Sequence, residues 1–264
     1  MSYDSFDHYD KYERYGAYHW PPVHPGLRFW KFEPQADANY ILALNELRKR
    51  LASGNGRAPR ILDIACGDGV MTYRMRKAGM EVVGLDLEQL ALLIARDQLT
   101  KRGAHGTQFV RGSCMALPFA DGSFEGAVAM ELIEHLDPAL NGTFLAEIRR
   151  VLKPGGVVVI TTPHKQTPEL RSVYHTQEFS GNELKRLLAT SFDTAEVLAY
   201  YKNSLQRFYA FGGKVMRPVR LVWKTLWRFE RLNPFTRVSL TPTVEWEHIL
   251  VAGKKNARDG RSLN

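Results

Sequence analysis

Cysteine is scarce in this chain: Cys66 and Cys114 are the only two in 264 residues, and neither stands at the spacing of a metal motif. Two thiols cannot build a disulfide framework, so a reducing cytoplasm is the expected location. Long apolar runs are also missing, and no stretch approaches the roughly 18 residues of a membrane-spanning helix. The opening MSYDSFDHYDKYERYGAYHW is dense in tyrosine and charge and has no apolar core of the length a secretory leader needs. Internal repeats and low-complexity tracts are absent too. The expectation is a soluble chain, with contact at a membrane surface left open.

Apolar residues make up 44% of the chain, enough to bury a core for one large domain or a domain with an appendage. The net charge of +8 is uneven. Residues 201–264 hold 13 Lys and Arg against 4 Asp and Glu, whereas residues 1–200 are close to balance. The basic character is therefore local to the C-terminal quarter.

The middle of the chain alternates between two periods. Residues 60–65, 81–86, 107–112, 124–132 and 157–163 read as buried strands, and 194–201 and 244–255 as two further ones. Between them, 70–78, 88–101 and 138–151 read as helices, the last opened by Pro138 and closed near KPGG. Alternating strands and helices predict βαβ units and a mostly parallel sheet covered on both faces. Boundaries are expected near residue 50, at ASGNGRAP, and near 201, where the charge changes.

The stretch ILDIACGDGV, residues 61–70, ends the first strand and turns on Gly67 and Gly69 into a helix. In open α/β sheets the ligand crevice lies beyond the carboxyl ends of the strands, at turns of this kind. Glycine lets a ligand approach the backbone, and amides at the helix start can hydrogen-bond it. A tight turn with no ligand explains the glycines equally well. Asp86, at the end of the second strand, favours a ligand, because a carboxylate there can accept both hydroxyls of a ribose.

The motif Asp63-Ile-Ala65-Cys-Gly67-Asp-Gly69 resembles the first motif of the class I S-adenosylmethionine-dependent methyltransferases, and is unlike the G-x-G-x-x-G of dinucleotide enzymes. The resemblance extends over roughly residues 58–200 and takes in GLDLE, MALPFADGSFEGAVAMELIEHL, FLAEIRRVLKPGGVVVITTPH and EFSGNELKRLL. It implies one Rossmann-like domain with a seven-stranded, mostly parallel sheet, helices on both faces and an antiparallel last strand. An N-terminal helical cap over 1–50, a core over 51–200, a helical insertion over 201–243 and a last strand with a basic tail over 244–264 complete the expected layout.

The resemblance makes Asp63, Ala65, Gly67 and Gly69 the cradle for the methionine part of S-adenosylmethionine. It makes Asp86 the ribose ligand, and Leu87, Ser113 and Cys114 neighbours of the adenine. Glu131 opens the loop after the fourth strand, also on the cofactor side. Ala65 replaces the family's first glycine, Ser113 stands where an aspartate often meets the adenine amino group, and Glu125 replaces a frequent aspartate.

Methyl transfer from a sulfonium needs alignment and the removal of a proton from a poor nucleophile. ELIEHL offers groups for the proton step. Glu131, Glu134 and His135 stand at i, i+3 and i+4 and share a face if the segment is helical. Two carboxylates and an imidazole can hold a divalent cation, with His175 of VYHTQEF as a fourth ligand. The E-x-x-E-H…H arrangement resembles two metal-using branches, one O-methylating ubiquinone precursors and one methylating the terminal 2′-hydroxyl of small RNAs. Alternatively, His135 serves as a metal-free base beside Glu134, or simply bonds to a loop. His164 is a further candidate for the acceptor pocket, and Tyr18, His19 and Trp20 for a lid. Ordinary packing or solvation accounts for each of these four equally.

Residues 205–231 read as a basic amphipathic helix. Phe208, Phe211, Val215, Val219, Val222, Leu226 and Phe229 recur on one face, and Arg217, Arg220, Lys224, Arg228 and Arg231 on the other. Three readings compete: a lid packed on the domain, a helix lying on an anionic membrane with Trp223 and Trp227 at the interface, and a contact with nucleic-acid phosphates. The confinement of the charge to one segment argues against nucleic acid. The expected function is transfer of a methyl group from S-adenosylmethionine to an oxygen of a small molecule, quinone-like lipid or glycan. A 2′-O-methyltransferase of RNA and a non-catalytic cofactor-binding adaptor are the alternatives.

Overall fold

The computed structural model describes residues 12–13, 16–17, 19–20, 34–51, 56–165, 174–202, 222, 226, 233–240 and 246–256. The strands are β1 (Arg60–Ile64), β2 (Glu81–Asp86), β3 (Gln108–Arg111), β4 (Phe124–Met130), β5 (Leu152–Pro163), β6 (Thr194–Lys202), β7 (Val238–Ser239) and β8 (Trp246–Lys254). The helices are α1 (Pro34–Arg50), α2 (Val70–Lys77), α3 (Gln89–Lys101), α4 (Asn141–Val151) and α5 (Gly181–Ala189). They form one sheet in the order β3-β2-β1-β4-β5-β8-β6-β7. β1 to β5 run parallel, and β8 is antiparallel to both β5 and β6. The fold is the Rossmann-like arrangement the sequence led us to expect, with one strand more than the seven anticipated. The extra strand, β7, is a two-residue pairing on the outer edge of β6, too short to leave a periodic signature.

Strand alternation divides the core in two. Leu62, Ile64, Ala127, Ala129, Val158, Ile160, Ile249 and Val251 face Phe144, Leu145 and Ile148 of α4 and Leu184 and Leu188 of α5. Ile61, Val128, Val157, Val159, Leu250 and Ala252 face Ala38, Leu42 and Leu47 of α1 and Met71 and Met75 of α2. Adjacent residues thus serve opposite layers, the period-2 pattern of a sheet buried on both faces.

Local chemistry sets the element ends. Ser180 and Glu183 form a capping box at the start of α5. The Glu88 side chain accepts the Leu90 N–H at the start of α3. Pro138 begins a separate 3-10 turn, Pro138–Leu140, and α4 starts only at Asn141. β5 begins five residues before the expected strand. Phe124 pairs with Leu152 and Gly126 with Val157, so Lys153–Gly156 bulge from the ladder.

Among the described residues, no helix is long and apolar enough to cross a membrane. The basic segment 205–231 lies outside the described residues except for Val222 and Leu226, which are helical and exposed. Tyr18 and the basic tail also lie outside them.

Candidate active site

The strand order reverses between β1 and β4, so their carboxyl ends splay apart and leave a crevice. Into it project the turn after β1, the end of β2 and the turn after β4. They line a cavity of about 520 Å³ that runs from Gly67 and Asp86 at one end to Glu131 and His135 at the other.

The turn after β1 takes a left-handed path, with φ of +55° at Ala65, +53° at Gly67 and +84° at Gly69. Glycine adopts such angles freely, whereas the alanine carries strain of about 1–2 kcal/mol. A Cβ on Gly67 would come within 2.5 Å of the Tyr12 hydroxyl, so the cavity wall closes tightly there. Gly69 has a different reason to be glycine. A Cβ there would meet Ala95 at 2.9 Å and Leu99 at 3.1 Å, so its small size serves the packing of α3 against the turn. It does not line the cavity.

Asp86 ties the two strand ends together. Its Oδ2 accepts the Gly67 N–H at 2.8 Å and its Oδ1 accepts the Glu88 N–H at 2.9 Å. A carboxylate at this position can also accept from ligand hydroxyls. Asp63 is buried beneath the turn and accepts from the Thr72 hydroxyl. Burial pushes its carboxyl up to about 7; the Thr72 bond opposes this and the Asp86 charge adds to it.

The other end of the cavity is built on the turn after β4. Glu131 has a φ of +49° and lies outside any helix, and only Ile133–His135 make a 3-10 turn. The expected shared helical face for Glu131, Glu134 and His135 therefore does not form. Instead Glu131 Oε2 lies 3.3 Å from His248 Nε2 on β8. Glu134 turns inward, is 1% exposed and accepts from the Thr162 hydroxyl at 2.9 Å. Burial and the Glu131 charge push its carboxyl well above the usual range. Burial also opposes ionisation of Glu131, but the charge and hydrogen bond of His248, with Thr161 and His175, hold it below the ordinary carboxylate value.

His135 lines the cavity, and its Nδ1 lies 3.0 Å from the Tyr174 carbonyl. That oxygen only accepts, so Nδ1 carries the proton, and in the neutral ring Nε2 has the lone pair. His175 stacks edge-on against His135, with ring centroids 5.3 Å apart, and its Nδ1 meets Glu178 at 2.9 Å. Glu134, His135 and His175 each offer a ligand atom within 4.8 Å of the others.

Asp63, Ala65, Gly67, Asp86, Glu131 and His135 thus line one cavity, while Glu134 and His175 lie beside His135 and do not line it. The adenine neighbours are less well gathered. Leu87 is 46% exposed, the exposed Ser113 caps the Met115 N–H, and Cys114 packs against the hydrophobic core. None of the three lines the cavity. His164 is buried beside Phe179 at the end of β5. His19 and Trp20 reach the glycine turn, and His19 lines the cavity there. Sequence reasoning missed Tyr12, Asn39 and Tyr40, which line the cavity from the N-terminal part of the chain, and His248. For His248 a signal existed: a polar ring inside a strand that is otherwise apolar at its core positions.

A family profile described as a methyltransferase domain matches residues 61–156. The chain is 36% identical over 118 residues to the demethylmenaquinone methyltransferase of Lactococcus lactis, covering 43% of this chain and 46% of that protein. It is 33% identical over 164 residues to the O-methyltransferase rstn1 of Aspergillus nomiae, covering 57% of this chain and 71% of that one. Among solved structures, a geranyl diphosphate methyltransferase in complex with GPP and sinefungin aligns over 88% of this chain and 83% of its own. The TM-score is 0.60 at 15% identity, a likeness of fold. The residues present fit S-adenosylmethionine: a glycine turn without room for a Cβ at Gly67, a carboxylate at the end of β2, and a cavity within the usual size of small-ligand sites. With its motif, fold and relatives in agreement, the chain belongs to the class I S-adenosylmethionine-dependent methyltransferases.

Proposed function

We propose that this protein methylates a hydroxyl oxygen on a small, hydroxylated acceptor of the quinone-precursor or phenolic type, with His135 as the base. One observation carries the reading: the cavity that holds Gly67 and Asp86 at one end has His135 at the other. When bound, S-adenosylmethionine supplies an electrophilic methyl group on a sulfonium. The chain does the rest. Asp86 and the glycine turn orient the donor, and the acceptor hydroxyl lies against His135. Nε2 takes the hydroxyl proton, because Nδ1 is committed to the Tyr174 carbonyl. Glu134, 4.0 Å from Nε2, stands beside the proton that arrives there. A base is needed for an oxygen acceptor, whose lone pair is poorly nucleophilic until the proton leaves. The names of two relatives support the reading: a demethylmenaquinone methyltransferase for a small quinone-type acceptor, and an O-methyltransferase for transfer to oxygen.

A second reading is favoured by the cluster of Glu134, His135 and His175. Both histidines commit their other ring nitrogen to a carbonyl or a carboxylate, the outer-shell pattern of metal-bound imidazoles. These three residues would hold a divalent ion, whose chemistry would be to lower the pKa of an acceptor hydroxyl. A mixed nitrogen and oxygen set suits manganese or zinc better than magnesium. Glu131, the remaining expected ligand, faces His248 instead.

The test is transfer of labelled methyl from S-adenosylmethionine into phenolic, quinone, lipid, glycan and RNA fractions, with the product bond assigned by NMR. Label on the oxygen of a small acceptor supports the proposal, with activity lost in His135→Ala. Label on carbon alone, or in RNA alone, overturns it. Chelator divides the two readings: loss restored by a divalent ion supports the metal, and no effect supports His135 as a base by itself.

A further inference from the structure

We propose that Tyr12, His19 and Trp20 are a structural part of the cofactor site, with His19 and Trp20 acting as positioning residues that set cofactor affinity through Asp68. This rests on the cavity's being a methyltransferase cofactor site.

Asp68 is the residue between Gly67 and Gly69, the two most conformationally free positions of the turn. It is 1% exposed, yet it does not face a cation of its own loop. Its Oδ2 accepts the His19 backbone N–H at 3.0 Å, and its Oδ1 lies 2.9 Å from His19 Nδ1. Its backbone carbonyl accepts the Trp20 indole N–H at 2.6 Å. Three hydrogen bonds from two adjacent residues thus clamp the one non-glycine residue of Gly67-Asp68-Gly69.

The clamp has its own anchor. Trp20 is buried, its ring stands edge-on to Tyr73 of α2 at 5.3 Å, and the Arg102 guanidinium lies 4.1 Å above it. Val70 and Leu99 complete its surroundings. Trp20 is therefore held by the helices on either side of the turn, independently of any ligand. Tyr12, from the same segment, brings its hydroxyl against Gly67.

A turn containing two glycines samples many conformations, and only those that keep the Gly67 amide on Asp86 suit the cofactor. The apparent dissociation constant scales inversely with the population of that conformer. Deleting the His19 imidazole removes one of two donors from a buried carboxylate, and the turn must rearrange to re-solvate it. His19 is about one-third exposed, so its removal leaves no large hole in the core. The clamp bonds to Asp68 in the glycine turn, whereas His135 bonds to the Tyr174 carbonyl, so the chemical step should be spared.

The experiment compares S-adenosylhomocysteine affinity by calorimetry, and steady-state kinetics, across His19→Ala, His19→Asn, Asp68→Ala, Trp20→Phe and the His19→Ala/Asp68→Ala double variant. Expected are a roughly tenfold weaker affinity and a raised cofactor KM in His19→Ala, with kcat and acceptor KM near those of the unchanged protein. His19→Asn, which keeps a side-chain donor, should recover most of the loss. Trp20→Phe, which keeps a ring but deletes the donor, should lose affinity too. In the Asp68→Ala background the His19 change should have almost no effect. Unchanged affinity in both His19→Ala and Trp20→Phe, or a full loss on top of Asp68→Ala, overturns the proposal. Failure of the unmodified protein to bind S-adenosylhomocysteine is a separate outcome, because it removes the methyltransferase reading and the clamp together.

Discussion

Glu131 and His248 meet across β5, the strand between their own two, with Oε2 and Nε2 3.3 Å apart. The contact joins the turn that carries the catalytic candidates to the last described strand of the chain. Replacing His248 with leucine should cost about 1–2 kcal/mol, since the Glu131 side chain keeps partial exposure that moderates the loss. His248 contributes to holding the Glu131 carboxyl below its ordinary value of 4.5. Its contribution to stability is therefore present above that value and is lost as the pH falls through the lowered one. Denaturant unfolding of both proteins between pH 3 and 7 should show this slope in the unmodified protein and a flatter one in His248→Leu.

Asp63 should give the opposite slope. Burial raises its carboxyl from 3.8 to about 7, so the folded state holds a proton that the unfolded chain releases. Stability is fully present below 3.8 and falls as the pH rises toward 7, by up to about 4 kcal/mol. In Asp63→Asn the fall should vanish. A ligand-free unfolding series in which both proteins have the same pH dependence would contradict the assignment.

The two glycines of the turn should fail in different ways. Gly69→Ala forces a Cβ onto Ala95 and Leu99 at a left-handed φ, and should lower stability by about 2–4 kcal/mol even without ligand. Gly67→Ala meets only the end of the Tyr12 side chain, which can move. Thermal melts should show a smaller loss of stability in Gly67→Ala, while calorimetry shows the larger loss of cofactor affinity.

Asp86→Ala should weaken binding of both S-adenosylmethionine and S-adenosylhomocysteine by about 2–3 kcal/mol. It removes the expected ribose acceptor and also releases the Gly67 and Glu88 amides. Asp86→Asn, which keeps one oxygen acceptor, should lose less. Equal affinity in all three proteins would take Asp86 out of the site.

The sequence by itself determined the strand order along the chain, a sheet covered by helices on both faces, the glycine turn and the carboxylate at the end of β2. Each is written in neighbouring residues: a continuous apolar run in strands such as VVVITTP, and a glycine turn in a run of six or seven. The tertiary structure alone decided which distant side chains meet. His135 and His175 could be read as partners only from their donor chemistry and the resemblance, not from any local pattern, and His19 on Asp68, 49 positions away, was legible nowhere. Glu131 could face His135 or His248 with the same chemistry, and the choice depended on a backbone angle of +49° and on the register that sets His248 against Pro163. Ser113 and Cys114 sit in a loop whose path no local pattern encodes. Periodicity is a property of adjacent residues, whereas pairing across a sheet is settled when register, turn geometry and packing are satisfied together.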